Sequence, residues 1–179
     1  MAELPFRTAF AALLLAAAPA ALSAQQEESG TGLSQDSAWL NRQMSALASR
    51  QASDGWNWME GGLLWRRVAG DGSGAHPVLS DTVTLHYAGT LADGTEFDSS
   101  YARGRPASFP LRQLIRAWQM AVPQMGVGDT IEIAVPASLG YGTYGGGPIP
   151  GGATLLFRIE LLGIAGKAGQ SSPDSTRPE

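Results

Sequence analysis

The 179-residue chain contains no cysteine. That absence removes disulfides, thiol nucleophiles, cysteine zinc sites and lipid attachment at a cysteine from consideration. Histidine is nearly absent too: His76 and His86 are the only two, and neither has a partner at ligand spacing, so no metal is expected. Charged residues make up 16% of the chain and sum to −4, without the basic face that nucleic-acid binding requires. Arg66, Arg67, Arg103, Arg105, Arg112 and Arg116 are interleaved with acids and read as solvated faces. No G-x-S-x-G elbow and no G-K-[ST] phosphate loop occurs. Asp93, Glu96 and Asp98 crowd one hairpin instead of facing each other as an acid–base pair. Nor is there an uninterrupted apolar run of about 20 residues, the length a membrane helix needs.

A shorter apolar run is present. "TAFAALLLAAAPAALSA" follows Arg7, carries no charge and is broken by Pro19. It fits a secretory signal over 1–24 with cleavage after Ala24; the alternative is an uncleaved anchor. Glu3 and Leu22 depart from the usual signal pattern. Export is therefore expected, with the periplasm as the inferred compartment and no membrane span after cleavage. Residues 25–61 read as a polar linker followed by a short helical extension. Within it, 37–51 forms a helix with Ser37 as N-cap and Trp39, Leu40, Met44 and Leu47 as its apolar stripe. Such a helix is marginal alone, so it either docks on the domain or pairs with a second copy. Trp56 and Trp58 read as packing contacts.

From Gly62 to about residue 165 the pattern is that of one α+β domain. "LLWRRVA" is a first strand. "DTVTLHYAG" alternates, with Val83, Leu85 and Tyr87 on one side and Thr82, Thr84 and His86, the last read as solvated, on the other. Asp93-Gly94 marks a turn before "TEFDSS". In "LRQLIRAWQM", Leu111, Leu114, Ile115 and Trp118 share one face of one short helix, which Pro123 stops. "DTIEIAV" directs Ile131, Ile133 and Val135 inward, and "ATLLFRIELLG" does the same for Leu155, Phe157, Ile159 and Leu161. The tail 166–179 is polar and expected to be disordered.

Between the last two strands lies "GYGTYGGGPIPGG" (140–152), whose first six residues match the spacing of a dinucleotide loop. Such a loop must open a helix, and the two prolines and further glycines that follow forbid one. The tip, Gly145–Gly147, reads as mobile. Composition leaves a set of aromatics from separate elements, namely Tyr87, Phe97, Phe109, Trp118, Tyr141 and Phe157. Taken alone these are ordinary core residues; the two tyrosines hint at a pocket rim, because a buried hydroxyl wants a partner.

Four ordered segments then resemble the FKBP-type peptidyl-prolyl cis–trans isomerases, in particular the bacterial exported branch: "VTLHYAGTLADGTEFDSSYARGRPASFPL", "LIRAW", "MGVGDTIEIAVPASLGYG" and "IPGGATLLFRIELL". The resemblance implies an antiparallel half-barrel wrapped around one short helix, with a shallow apolar pocket between. It implies catalytic roles for Tyr87, Phe97, Asp98, Trp118 (the floor) and Tyr141. Substrate contacts would come from Phe109, Leu114, Ile115, Ile149 and Phe157, with Arg103 holding the aspartate. The implied activity is isomerisation of X–Pro bonds in unfolded or newly exported proteins without cofactor or metal. The alternative is a peptide-binding chaperone module with little turnover. A macrolide is a second implied ligand, and the chain is expected to be a monomer or a weak dimer through 37–51. Two positions depart from the family pattern: Ala107 replaces a common aromatic wall, and Gly151 the second proline of Ile-Pro-Pro.

Overall fold

The computed structural model describes residues 37–166. The expected signal segment over 1–24, the expected linker before Ser37 and the expected disordered tail after Gly166 lie outside the described residues. Seven strands form one antiparallel sheet: β1 (Asn57–Trp58), β2 (Leu64–Ala69), β3 (Thr82–Leu91), β4 (Glu96–Ser99), β5 (Ala107–Pro110), β6 (Thr130–Val135) and β7 (Leu155–Ile164). Their order is β1-β2-β6-β7-β3-β4, with β5 also paired to β3. Among the described residues two α-helices accompany them, α1 (Ser37–Ala48) and α2 (Arg116–Ala121). No helix among the described residues is long and apolar enough to cross a membrane.

The period-2 pattern does what the sequence requires of it. Val83, Leu85, Ile131, Ile133, Leu155, Ile159 and Leu161 are at most 1% exposed on one face of the sheet, where Ala117, Trp118 and Ala121 of α2 pack against them. Burying a side chain of this size contributes about 1.5–3 kcal/mol each relative to exposure, so this layer dominates the stability. The opposite face has a smaller cluster of Trp56, Leu64 and Ala134, backed by Leu47 and Leu156.

β1 and β5 are additional to the strands expected from the sequence, which already placed β4 in a hairpin after Asp93-Gly94. β5 and β4 pair with the same edge of β3, Leu85 opposite Ala107 and Ala88 opposite Ser99. They are two halves of one interrupted edge strand, and residues 100–106 loop out between them. Ser100 closes the base of that loop: its Oγ accepts the Tyr87 N–H at 2.7 Å and its own N–H donates to the Tyr87 carbonyl at 2.9 Å.

Several expectations need correction. The segment 111–120 is not one helix. A 3₁₀ turn covers Leu111–Gln113, Leu114 and Ile115 are extended, and only Arg116–Ala121 is α-helical. Leu111 and Trp118 remain buried, while Leu114 and Ile115 at the break are half-buried against the core. Helix α1 ends at Ala48, and its buried residues are Trp39 and Gln43, not Leu40 and Met44, which are exposed. Trp58 is also exposed, whereas Trp56 is buried between Arg50 and Arg66. His86 is not merely solvated: its Nδ1 lies 2.9 Å from Ser100 Oγ and its ring stacks on Tyr101 with centroids 4.6 Å apart. Among the arginines, Arg66 pairs with Glu132 at 2.7 Å and Arg67 with Asp129 at 3.0 Å.

Asp129 is the most demanding of these polar positions. Its side chain is 3% exposed. It accepts from Arg67 Nε at 3.0 Å, from the Gly126 N–H at 2.9 Å and from the Gly72 N–H at 3.1 Å. Removing the carboxylate leaves the buried Gly126 N–H without its acceptor and takes the partner from Arg67, which costs about 1–3 kcal/mol. Asp129→Ala is therefore expected to lower the urea unfolding midpoint sharply with little change in slope; an unaltered midpoint would contradict this reading of the turn.

Candidate active site

The inward positions of β3 are Val83, Leu85, Tyr87 and Gly89, and the last two of these shape a pocket. Tyr87 and Phe157, which comes from β7, approach the Trp118 indole edge-on at 82° and 85°, each with centroids 5.3 Å away. Phe97 on β4 meets Phe157 at 88° and 5.6 Å. Aromatic pairs prefer such edge-to-face contacts, each worth about 0.5–1.5 kcal/mol beyond the area buried. Rings standing at right angles to the indole leave a crevice above it. That crevice is a cavity of about 410 Å³, floored by Trp118 and walled by Tyr87, Phe97, Phe109 and Phe157, with Leu114, Ile115, Gln113, Asp98 and Tyr141 completing the lining. Trp118 Nε1 is buried without a hydrogen-bond partner among the described residues.

Polar groups stand at one wall. The Tyr87 hydroxyl donates to Asp98 Oδ2 at 2.5 Å and accepts from Arg103 Nη2 at 2.8 Å. Arg103 Nη1 donates to Asp98 Oδ1, and its guanidinium lies 5.4 Å from the Tyr87 ring centroid. The three side chains close a ring of charge-assisted hydrogen bonds. Arg103 reaches this position because residues 100–106 loop out between β4 and β5. Burial pushes the Asp98 carboxyl up, but the hydrogen bonds from Tyr87 and Arg103 outweigh it and leave the group below the usual aspartate value. For Tyr87, burial and then the hydrogen bond to Asp98 hold the phenol above its ordinary value against the opposing effect of Arg103. At neutral pH the aspartate is thus ionised and the tyrosine protonated.

The loop after β6 brings Tyr141 to the cavity. Tyr141 is half-exposed, and its hydroxyl makes no hydrogen bond within the described residues, so it is open to a ligand. The glycines around it are not a loose tip. Gly142 adopts φ +64° and donates to the Ala137 carbonyl, the Gly152 N–H donates to the Gly142 carbonyl at 2.8 Å, and Gly146 and Ile149 exchange two backbone hydrogen bonds. A Cβ at Gly151 would sit 2.1 Å from the Thr143 carbonyl oxygen, which is why proline is not accommodated there. The loop crosses itself at glycine contact distance.

Of the eleven site residues expected from the sequence, nine line the cavity. Arg103 and Ile149 do not: Arg103 lies behind Asp98 and Tyr87, and Ile149 is buried in the adjoining core. Gln113 and Gly89 were missed. Gln113 was hidden by reading its segment as a continuous helix. Gly89 does carry a signal, being a glycine at an inward position of an alternating strand, where close approach by another group is the usual cause. Among the described residues no group of three His, Asp or Glu is placed to hold a metal ion.

Comparison with known proteins places this geometry. The family model for FKBP-type peptidyl-prolyl cis-trans isomerases matches residues 74–162. The FKBP-type peptidyl-prolyl cis-trans isomerase FkpA of Aeromonas hydrophila is 46% identical over 118 residues, covering 66% of this chain and 44% of that protein. FK506-binding protein 2 of Aspergillus oryzae is 48% identical over 92 residues, covering 50% of this chain and 69% of that protein. The crystal structure of FkpA from Escherichia coli superposes with a TM-score of 0.60 at 34% identity, covering 72% of this chain and 65% of that one. The chain spans only about half the length of the bacterial relatives it matches.

The close packing of the Phe97 and Phe157 rings on Gly89 gives a direct test. A Cβ at Gly89 would lie 2.6 Å from Phe97 Cζ and 2.8 Å from Phe157 Cε1. Gly89→Ala is expected to force the Phe97–Phe157 pair into the cavity and to cost about 1–3 kcal/mol, as overpacking does. Chemical denaturation measures the loss; a variant as stable as the parent would contradict the placement of these rings.

Proposed function

The chain belongs to the FKBP-type peptidyl-prolyl cis–trans isomerase family, and from that premise we propose that it accelerates rotation about X–Pro bonds in unfolded or newly exported polypeptides. The observation that carries this reading is the cavity itself: a pocket walled by four aromatic rings over an indole, with one open hydroxyl and no nucleophile. The reaction asks for nothing more. The barrier of about 18–20 kcal/mol comes from amide resonance, which rotation interrupts. A twisted amide is less dipolar than a planar one, so a site that excludes water favours it relative to the planar ground state. Each 1.4 kcal/mol or so of that preference gives a tenfold rate increase.

The residues take distinct parts in this proposal. Trp118, Phe157 and Phe97 receive the proline ring, and Leu114 and Ile115 contact the residue before it. The Tyr141 hydroxyl, free of protein partners, donates to a substrate carbonyl. Asp98, fixed by Tyr87 and Arg103, presents a carboxylate edge toward the rotating amide without accepting a proton. A macrolide entering the same pocket would compete with peptide. One copy of the chain supplies every lining residue. The uncharged run before Ala24 supports export, where uncatalysed proline isomerisation over tens of seconds limits folding.

A protease-coupled assay on a proline tetrapeptide tests the proposal: acceleration proportional to protein concentration is expected, and none would overturn it. Tyr141→Phe is expected to lower kcat/KM about fivefold, the worth of one net hydrogen bond. Asp98→Ala, which unties a charged network, is expected to lower it by about ten- to a hundredfold; full activity in both variants would remove these side chains from the mechanism. The pH profile follows from the two displaced groups. With Asp98 held below its ordinary value and Tyr87 above its own, neither changes charge between about pH 5 and 9, so the rate is expected to be flat there. Only as pH falls through the lowered aspartate value does the Asp98 contribution disappear. A rate titrating near neutrality would contradict this assignment.

A further inference from the structure

Helix α1 is joined to the Tyr141 loop through one residue. Trp39 seats the helix in the main core, and Gln43, one turn on, is buried beside it. Gln43 spends two acceptors on Thr154: its side-chain Oε1 accepts the Thr154 N–H at 2.8 Å, and its main-chain carbonyl accepts the Thr154 hydroxyl at 3.1 Å. Thr154 is 2% exposed and is the last residue of the loop, immediately before β7. The same N-terminal extension touches the loop's other end. Gly61 lies so close to Leu139 that a Cβ there would be 3.0 Å from Leu139 Cδ1, and Leu139 ends the 3₁₀ turn just before Gly140. Between these two supports the backbone ties Gly142 to both Ala137 and Gly152. A shift of Thr154 therefore moves the strand of backbone that carries Tyr141.

We infer that Gln43 is a positioning residue for the reaction: through Thr154 it fixes the loop so that the Tyr141 hydroxyl stands over the pocket. The extension is then a working part of the active site and not a tether or pairing arm. This rests on the isomerase reading for its kinetic consequence, but its structural consequence is independent. Without the Gln43 acceptor, the buried Thr154 N–H is left unpaired, a state that proteins avoid by local rearrangement. The end of the loop is what can rearrange, because Leu155 beyond it is fixed in the sheet by Val135 and Leu91.

The test compares the full chain with Gln43→Ala, Gln43→Glu and Met44→Ala. Amide hydrogen exchange over 140–154 and kcat/KM on a proline peptide are measured for each. Gln43→Ala is expected to speed exchange in 140–154 by about tenfold while β3 and β7 keep their protection, and to lower kcat/KM by about three- to tenfold. Gln43→Glu retains the Oε acceptor and is expected to restore both. Met44→Ala, an exposed neighbour on the same helix, changes neither. Should Gln43→Ala fail to fold, Thr154→Val removes only the hydroxyl donor and is expected to give the same loop-confined rise with smaller amplitude. Unchanged loop exchange, a glutamate variant that behaves like the alanine one, or exchange raised evenly across the sheet would each overturn the proposal. If the parent chain shows no isomerase activity, the functional reading fails and the exchange measurements alone decide the role of Gln43.

Discussion

The pocket depends on the Trp118 indole being met edge-on from two sides. Tyr87 and Phe157 belong to neighbouring strands of one sheet, paired through Tyr87 opposite Ile159 and Gly89 opposite Phe157. Only a short helix lying across that face can put an indole between them, and a flat stack would have filled the space that the perpendicular arrangement leaves open. Gly89 is the concession the sheet makes to it: the ring of Phe97 occupies the volume that any larger residue would take. From this follow the shallow shape of the cavity, its aromatic walls, and the placement of polar groups at one wall and on one loop.

The polar wall has the opposite character. Asp98, Tyr87 and Arg103 hydrogen-bond one another in a closed ring, with the Asp98 carboxyl held below and the Tyr87 phenol above their ordinary values. Such a ring suits the dipole-orienting role proposed above, and it differs from a general acid–base pair, whose groups must titrate near the working pH. Tyr141 is the one pocket hydroxyl left unsatisfied, and it is carried by a loop whose glycines permit close backbone crossing. In this molecule glycine content signals tight packing of a loop, and the support for that packing comes from Gln43 and Gly61 at its two ends.

Much of this was legible in the sequence. Period-2 alternation in β3, β6 and β7 assigned Val83, Ile131 and Leu155 to the interior, because a half-buried strand leaves no other solution. The resemblance carried most of the lining residues. What escaped has physical reasons. β5 is four residues ending in proline, and only pairing with a strand more than twenty residues away defines it. The break at Leu114–Ile115 conserves apolar spacing, so periodicity cannot see it. Leu40 and Met44 were the better candidates for the buried face of α1 by hydropathy. Gln43 displaced them because its partner, Thr154, lies 111 residues along the chain. Gly145–Gly147 read as a mobile tip by composition, and only the crossing backbone shows Gly145 held against the Ile149 carbonyl.

The central claim is that the pocket speeds rotation of the prolyl amide itself, as distinct from holding a peptide. Two-dimensional NMR exchange spectroscopy on a proline peptide, with the chain at substoichiometric concentration and no protease present, measures that rotation directly. Cis–trans exchange cross-peaks are expected to grow in proportion to the added chain while the cis-to-trans ratio stays fixed. Peptide resonances that shift on binding with no change in exchange rate would contradict it, and would make the domain a binding module.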